Sequence, residues 1–270
     1  MSQLKKNIRR IFTDGRLNWA FILPSAVLLA LFAIPFAALL IRAINREFFQ
    51  LALSDQSLKA LRLSLVTSTI STIASILFGT PLAYMLAHWR ICFKAWVELL
   101  IDLPIVLPPS VAGLTLLIAF GRNGLLGSLF SLVGISLPFT TAAVIVAQTF
   151  VASPLYVRSA RVGFSEIDKQ LEEAALVEGA NQWQLFYEVM LPLAGRALVS
   201  GAILTWTRAL GEFGATILFA GNLEGVTQTM PMAIYLGFER NLGVALTLSV
   251  VLVFVSILLL TLTKRLEKHE

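Results

Sequence analysis

The sequence has almost none of the residues from which disulfides and metal sites are built. It contains one cysteine, Cys92, and two histidines, His88 and His269. A single cysteine excludes an internal disulfide and a cluster of thiolate ligands, and two histidines so far apart in sequence suggest no ligand pair. We therefore expect no metal site, no cofactor and no catalytic residue in this chain.

Charged residues are also scarce. They make up 14% of the chain, whereas an ordinary soluble domain has about 25%. Hydrophobic residues account for 57%, and the mean hydropathy is +0.81. A water-soluble fold of this length could not bury so much apolar surface, so these values indicate an integral membrane protein. In such a protein the net charge of +5 reports on loop orientation, and nucleic acid is not expected as a partner.

Six apolar stretches are long enough to cross a membrane as helices, which takes about 20 residues each. They cover roughly 19–41, 63–87, 95–120, 138–157, 194–220 and 243–263. We therefore predict an all-α, polytopic membrane protein with about six transmembrane helices. The first stretch is too long for a signal-peptide core, so we expect it to be retained. Residues 43–60 and 121–137 should connect spans, the second with a short helix.

The basic residues of the loops predict the orientation of the chain. Thirteen Lys and Arg residues lie in the two termini and in the loops after the second and fourth stretches, against six in the other loops. Because basic loop residues favour the cytoplasmic side, both termini and the loop after the fourth stretch are predicted to be cytoplasmic. Residues 1–57 then form a cytoplasmic tail, a first span and an external connector. Residues 58–263 form the main membrane domain, and 264–270 a short cytoplasmic tail.

Proline and glycine interrupt the third stretch at Pro108, Pro109 and Gly113. Proline lacks a backbone N–H and clashes with the preceding turn, so this helix should be kinked or broken near its middle. Freed backbone groups at membrane depth are tolerated where they are buried in protein or line a cavity. A packing kink and a bend that lines a pathway are both compatible with this pattern.

The polar segment 165–192 separates the fourth and fifth stretches. Ser165 and Asp168 have the spacing of a capping box, which predicts a helix beginning at Glu166. Gly179 should end this helix, because glycine readily adopts the left-handed conformation found there. Asn181 should cap a second short helix. The prediction is two short helices joined by a glycine turn.

Each predicted helix has a distinct face. In the first helix, Glu172 and Glu173 are expected to point away from the apolar face. That face is formed by Ile167, Leu171, Ala174 and Ala175. The second helix has an aromatic face at positions i, i+3, i+4 and i+7. This face is formed by Trp183, Phe186, Tyr187 and Met190.

The same segment carries anchors at fixed intervals. They read Glu173-Ala174-Ala175, three residues, Gly179, nine residues, Val189, one residue and Leu191-Pro192. This pattern resembles the cytoplasmic loop of the permease subunits of type I, binding-protein-dependent ABC importers. The resemblance covers roughly residues 58–263 as the transmembrane domain. It implies that segment 165–192 is a coupling loop that enters a groove on the ATPase, with Glu173, Ala174, Ala175 and Gly179 as docking residues.

The resemblance also implies partners and a location. A permease of this kind pairs with a second copy of itself and binds a dimer of cytoplasmic ABC ATPases. It receives its cargo from an extracytoplasmic binding protein, and it lies in the plasma (inner) membrane of a prokaryote. The chain has no phosphate-binding loop of the form GxxxxGK[ST], so we expect a separate subunit to hydrolyse ATP.

Two further stretches suggest the cargo. Leu107–Leu114 and Arg208–Thr216 resemble the molybdate/tungstate permease branch, which is close to the sulfate/thiosulfate branch. Arg208 and Glu212 are four residues apart and can pair on one helix face. Charges within a membrane usually face the bundle interior, so this pair is either a structural ion pair or part of an anion pathway. Glu98 and Asp102 are expected to have interfacial or structural roles.

Two other function classes fit the sequence less well. A secondary transporter or channel would account for paired charges within the membrane, but it gives segment 165–192 no role. A membrane-embedded enzyme would require a metal cluster or a nucleophile–base pair, and the sequence suggests neither.

Overall fold

The computed structural model describes residues 15–43, 47–89, 92–132, 134 and 136–268. The described residues form helices and connecting turns, with no strand among them. The all-α prediction is therefore confirmed. The predicted N-terminal tail, with Lys5, Lys6, Arg9 and Arg10, lies outside the described residues.

Three helices are long and apolar enough to cross a membrane by themselves. They are α1 (Gly15–Ala43), α3 (Asp55–His88) and α7 (Thr141–Ser165), and a short helix, α2 (Phe48–Ala52), lies between the first two. If each bent helix pair is counted as one span, the number rises to five. A further apolar helix, α13 (Leu242–Lys268), continues through most of the predicted tail at 264–270.

The third predicted span is broken. Helix α4 (Lys94–Val106) and helix α5 (Pro109–Phe120) meet at an angle of 118°. Leu107 and Pro108 are extended, and Pro109 occupies the first turn of α5, where its missing N–H leaves no helix bond unmade. The prediction of an interruption is confirmed, and the chain turns far more sharply than a kink requires.

The predicted fifth span, 194–220, is wrong as a single helix. After α8 (Lys169–Val177) and α9 (Gln182–Leu193), the chain forms α10 (Gly195–Leu210), and α9 and α10 are bent by 69°. Residues 211–213 then interrupt the helix before α11 (Gly214–Ala220). The described chain adds a short α6 (Gly127–Leu132), as predicted within 121–137, and an α12 (Met230–Arg240) that the sequence analysis did not anticipate.

Helices α3, α7 and α10 form the centre of the bundle, with α11 packed on α5 and α12 on α13. The buried residues of α3 are mostly serine and threonine, and such small side chains let the helices approach closely. Ser71 donates to the backbone oxygen of Ile145 at 3.1 Å, and Ser159 donates to that of Ala197 at 2.8 Å. These bonds join α3 to α7 and α7 to α10, so the bundle holds the two ends of segment 165–192 in place.

Candidate functional site

The segment 165–192 forms two short helices at one end of the bundle, which we call the loop end. Helix α8 begins at Lys169, because Asp168 is its N-cap and accepts from the Gln170 N–H at 3.0 Å. The predicted start at Glu166 is wrong. Helix α7 continues through Ser165, whose hydroxyl donates back to the Val162 oxygen at 2.9 Å and so caps no helix.

The turn between α8 and α9 follows the prediction closely. Gly179 has φ +94°, a left-handed conformation that favours glycine. The N–H groups of Gly179 and Ala180 donate to the Leu176 and Ala175 oxygens at 3.1 and 3.0 Å, the two bonds of a Schellman motif. Asn181 then caps α9 in a full capping box with Gln184. Each residue that ends or starts a helix here is fixed by its own hydrogen bonds.

The inner side of the loop packs into a core cluster that joins it to α3 and α7. Leu185 and Met190 are fully buried with Phe164 and Tyr156, and Ala175 packs against the same cluster. Residues Leu185–Met190 form a wide π-helical turn, which brings both ends of that turn to the buried side. The predicted aromatic face of α9 is therefore wrong: Met190 is inside, whereas Trp183 and Tyr187 are exposed and stack with ring centroids 5.9 Å apart.

The outer side of the loop presents small, apolar and acidic side chains to solvent. Glu173 and Ala174 are exposed on α8, and Gly179 has open space around it. Val177 is 87% exposed and Trp183 is 71% exposed. Ala175 is half-buried against the bundle, so three of the four predicted docking residues lie on this outer surface and the fourth supports it from below.

A contact that the sequence analysis missed ties α8 to the end of α3. The Glu172 carboxylate lies 4.0 Å from Nε2 of His88, and the His88 ring stacks on Tyr84 with centroids 4.7 Å apart. Glu172 is half-buried, so it points toward the bundle, whereas Glu173 beside it is exposed. No spacing within the segment could have indicated His88, because that residue comes from a different helix.

Two ion pairs connect α4 to α7 near the loop end. Arg158 makes two parallel bonds to the carboxylate of Asp102, at 2.6 and 2.7 Å, and Arg161 lies 2.7 Å from Glu98. The two acids are about one turn apart on α4, and the two arginines are nearly one turn apart on α7. Each arginine therefore faces one acid across the two helices. This arrangement gives Glu98 and Asp102 the structural role that the sequence suggested.

The two helix breaks contact each other. A Cβ added to Gly214 would lie 2.6 Å from Cβ of Pro109, and one added to Gly113 would lie 2.6 Å from the Ala215 oxygen. Helices α5 and α11 therefore approach more closely than any side chain at these glycines would permit. The two stretches that suggested the cargo, about a hundred residues apart in sequence, are thus brought together with Pro109 at their junction.

Arg208 and Glu212 form an ion pair at this junction. Nη1 of Arg208 lies 2.6 Å from Oε2 of Glu212, whose side chain is only 1% exposed. The other carboxylate oxygen, Oε1, accepts from the Ala215 N–H at 2.9 Å. The pair therefore spans the interruption between α10 and α11. The Glu212 carboxylate accepts a hydrogen bond from a backbone N–H of the first turn of α11, which has no acceptor within that helix. Within the described part of the chain, no group of three His, Cys, Asp or Glu side chains could hold a metal ion.

The chain belongs to the family described as the binding-protein-dependent transport system inner membrane component, whose model matches residues 75–269. It is therefore a multi-pass permease of the inner membrane and a component of an ABC transport system. The structural neighbours share this fold: a bacterial ABC transporter involved in alginate import superposes with a TM-score of 0.79 at 17% identity, over 99% of both chains. The MetNI methionine ABC transporter superposes with a TM-score of 0.62 at 22% identity, over 80% of this chain and 99% of that one.

Relatives of higher identity cover most of the chain. The probable transport system permease protein NifC of Clostridium pasteurianum is 36% identical over 94% of this chain and 92% of its own length. The molybdenum transport system permease protein ModB of Mycobacterium tuberculosis is 41% identical over 89% and 91%. The probable sulfate transport system permease protein CysT of Chlorokybus atmophyticus is 34% identical over 83% and 79%.

Proposed function

We propose that this chain is the membrane-spanning subunit of an ATP-driven importer for a tetrahedral oxyanion, with molybdate or tungstate as its leading cargo. One observation carries the proposal. The loop 165–192 is anchored to the bundle by buried side chains on its inner side and presents unburied apolar side chains on its outer side. A solvated connector has no use for such a surface, whereas a partner that covers it gains by burying it.

The partner that fits this surface is a cytoplasmic ATPase. The small residues Ala174 and Gly179 would let α8 enter a cleft, and Glu173 would meet polar or basic groups at its rim. The loop would then lie in the cytoplasm together with both termini, as the basic residues predict. The chain would leave ATP hydrolysis to that partner.

A complete importer would contain two copies of this chain, two ATPases and an external binding protein. One bundle of this size encloses no obvious pathway, so the pathway would lie between two copies. Nucleotide would bind one arrangement of the ATPases more tightly than the other and so shift the permease between inward- and outward-facing states. Selectivity among molybdate, tungstate and sulfate would rest mainly with the binding protein.

The cargo proposal draws on the relatives and on the junction of the two breaks. The relative named as a molybdenum permease is more similar than the one named as a sulfate permease, at 41% against 34% identity. Sulfate or thiosulfate is therefore the alternative cargo. Pro108, Pro109 and Gly113 would lie along the pathway, while the geometry of Arg208 and Glu212 favours a structural pair.

The test is uptake of radiolabelled molybdate into vesicles that contain the permease, its ATPase and its binding protein. We expect uptake to require ATP and to be competed more strongly by tungstate than by sulfate. Preferential competition by sulfate would reassign the cargo. Uptake without the ATPase would contradict the importer and favour a secondary transporter.

The docking surface has a test of its own. Glu173→Lys should weaken binding of the ATPase about tenfold, or about 1.4 kcal/mol, because it replaces attraction to basic groups on the ATPase with repulsion. Glu166→Lys is the matched control, since it reverses the same charge at an exposed position at the end of α7, outside the docking set. Equal effects of the two variants on ATPase binding and on uptake would refute the docking assignment.

A further inference from the structure

The turn that follows α5 is folded back onto the end of that helix. Gly124 donates to the Gly121 oxygen at 2.8 Å, which makes Arg122 and Asn123 the two central residues of a hydrogen-bonded turn. Leu125 and Leu126 then donate to the Ile118 and Ala119 oxygens at 3.0 and 2.9 Å. The last carbonyls of α5, which would otherwise repel an anion, are therefore occupied by backbone donors.

Three glycines make this turn possible. A Cβ added to Gly121 would lie 2.2 Å from the Leu117 oxygen, and one added to Gly124 would lie 2.4 Å from the Ile118 oxygen. At Gly127 the added atom would lie 2.2 Å from the Gly121 oxygen. Since backbone atoms are in the way at all three positions, the turn holds Arg122 and Asn123 in one place.

Arg122 lines two neighbouring cavities between this turn and residues 136–139. The larger has a volume of about 640 Å³ and is also lined by Asn123 and Ser136; the smaller, of about 220 Å³, is lined by Arg122 and Ser136 as well. Among the residues that the structure describes, neither lining includes an aspartate or a glutamate. The cavities therefore combine one guanidinium, one amide and one hydroxyl group with no opposing carboxylate.

Arg122 differs in its pairing from three arginines of the bundle helices. Arg208, Arg158 and Arg161 are each paired with a carboxylate at 2.6–2.7 Å. Among the described residues, Arg122 has neither an ion-pair partner nor a hydrogen-bond partner. Its five N–H donors are thus available to a ligand.

We propose that Arg122, with Asn123 and Ser136, forms a binding site for a tetrahedral oxyanion. A guanidinium presents two parallel N–H groups that match two oxygens of such an anion, and bonds of this kind are among the strongest in proteins. The amide of Asn123 and the hydroxyl of Ser136 supply further donors. This inference rests on the proposed function, because it identifies where the transported anion first meets the permease.

The position of the site suits an entry point. Residues 136–139 precede Thr141, the start of α7, whereas Ser165 at the other end of α7 leads into the docking loop. A helix of 25 residues is about 37 Å long, so the site lies a full membrane thickness from the loop end. Helix α5 runs from this site to Pro109 at the junction of the two breaks, so an anion could move from the site toward that junction along α5.

The first experiment measures uptake by the complete transporter in vesicles with saturating, loaded binding protein. Arg122→Gln should lower the maximal rate of molybdate uptake about tenfold, the factor expected for loss of a charge-assisted hydrogen bond. Arg240→Gln is the matched control, because Arg240 is an exposed cation that lines neither cavity. Equal rates for the two variants would overturn the site. Absence of uptake by the wild type would instead refute the proposed cargo.

The kinetics separate anion binding from docking of the binding protein. If Arg122 bound a carboxylate of that protein, Arg122→Gln would raise the concentration of binding protein needed for half-maximal uptake and leave the maximal rate unchanged. That result would overturn the anion site. The proposal expects the opposite pattern, a lower maximal rate with the half-saturating concentration unchanged.

A second experiment uses thiol modification to test the role of the positive charge in uptake and, separately, anion binding to the purified permease. In a Cys92→Ser background, Arg122→Cys is treated with a methanethiosulfonate reagent that carries an ammonium group. The restored positive charge should recover uptake, whereas a neutral reagent of similar size should not. In a Cys92→Ser/Ser136→Cys variant, which keeps Arg122, added molybdate should slow labelling of the purified permease. Equal recovery by both reagents, or labelling unaffected by molybdate, would contradict the proposal.

Discussion

Replacing Arg208 with methionine should destabilise the permease by about 3 kcal/mol, because it strands a buried carboxylate. The Glu212 side chain is 1% exposed, and its Oε2 has Arg208 as its ion-pair partner. Breaking a buried ion pair costs about 3–5 kcal/mol. The cost should lie at the lower end of that range, since Oε1 of Glu212 keeps its hydrogen bond from the Ala215 N–H after the substitution.

The assay is thermal unfolding of the purified permease. For a chain of this size, 1 kcal/mol corresponds to about 2–4 °C, so Arg208→Met should lower the midpoint by about 6 °C or more. Arg158→Met is the matched control. It breaks an arginine–carboxylate pair of the same length, but Arg158 is 57% exposed and Asp102 is 31% exposed, so the cost should stay below about 1 kcal/mol.

A double variant tests the physical reason. Glu212→Gln removes the charge and can still accept from Ala215, so Arg208→Met/Glu212→Gln should regain most of the lost stability. An Arg208→Met variant that unfolded at the wild-type temperature would show that the pair does not stabilise the fold. If molybdate uptake fell at the same time, Arg208 would act on the anion and not on the fold.

Two glycine substitutions probe the loop and the junction, with Gly195, which has open space and an ordinary φ, as the shared control position. At Gly179 a leucine side chain has open space but must adopt φ +94°, which disfavours the present shape of the turn between α8 and α9. We therefore expect Gly179→Leu to give an intact permease that permits ATP hydrolysis with little uptake. Normal coupled uptake would contradict the docking assignment. Gly113→Ala places a methyl group 2.6 Å from the Ala215 backbone and should cost about 1–3 kcal/mol; an unfolding midpoint equal to that of Gly195→Ala would contradict the close packing of α5 on α11.

Local signals explain which features the sequence predicted correctly. Gly179 and Asn181 act through hydrogen bonds within three or four residues of themselves, so their roles could be inferred from spacing alone. The break at Pro108 is local for the same reason, because proline disrupts its own helix. Features set by contacts between helices behaved differently.

The start of α8 shows how packing overrides a local signal. Ser165 has the spacing of a cap, but Phe164 beside it is fully buried between α3 and α9. Keeping that ring in the core continues α7 through Ser165, and Asp168 then becomes the cap. The π-helical turn in α9 arises similarly, since it brings both Leu185 and Met190 into the cluster.

The break between α10 and α11 depends on residues far away in sequence. Gly211 and Gly214 flank Glu212 and Phe213, which could have suggested an interruption. Its position is stabilised by the Arg208–Glu212 pair and by the contact of Gly214 with Pro109. A composition-based search for apolar stretches cannot detect such a break, because both halves are apolar.

The two halves of the broken span, α4 and α5, are attached to different parts of the bundle. Helix α4 is joined to α7 by two ion pairs, and α7 shares a buried cluster with the loop that we propose as the ATPase contact. Helix α5 is instead packed backbone to backbone against α11. Both α5 and α11 also share a buried cluster with the first half of α7, whereas the loop packs on its second half, so a displacement of the loop would act first on α4 and on that second half. The extended residues Leu107 and Pro108 form the only covalent link between these two half-spans, so relative motion between the loop end and the junction of the breaks would be absorbed there.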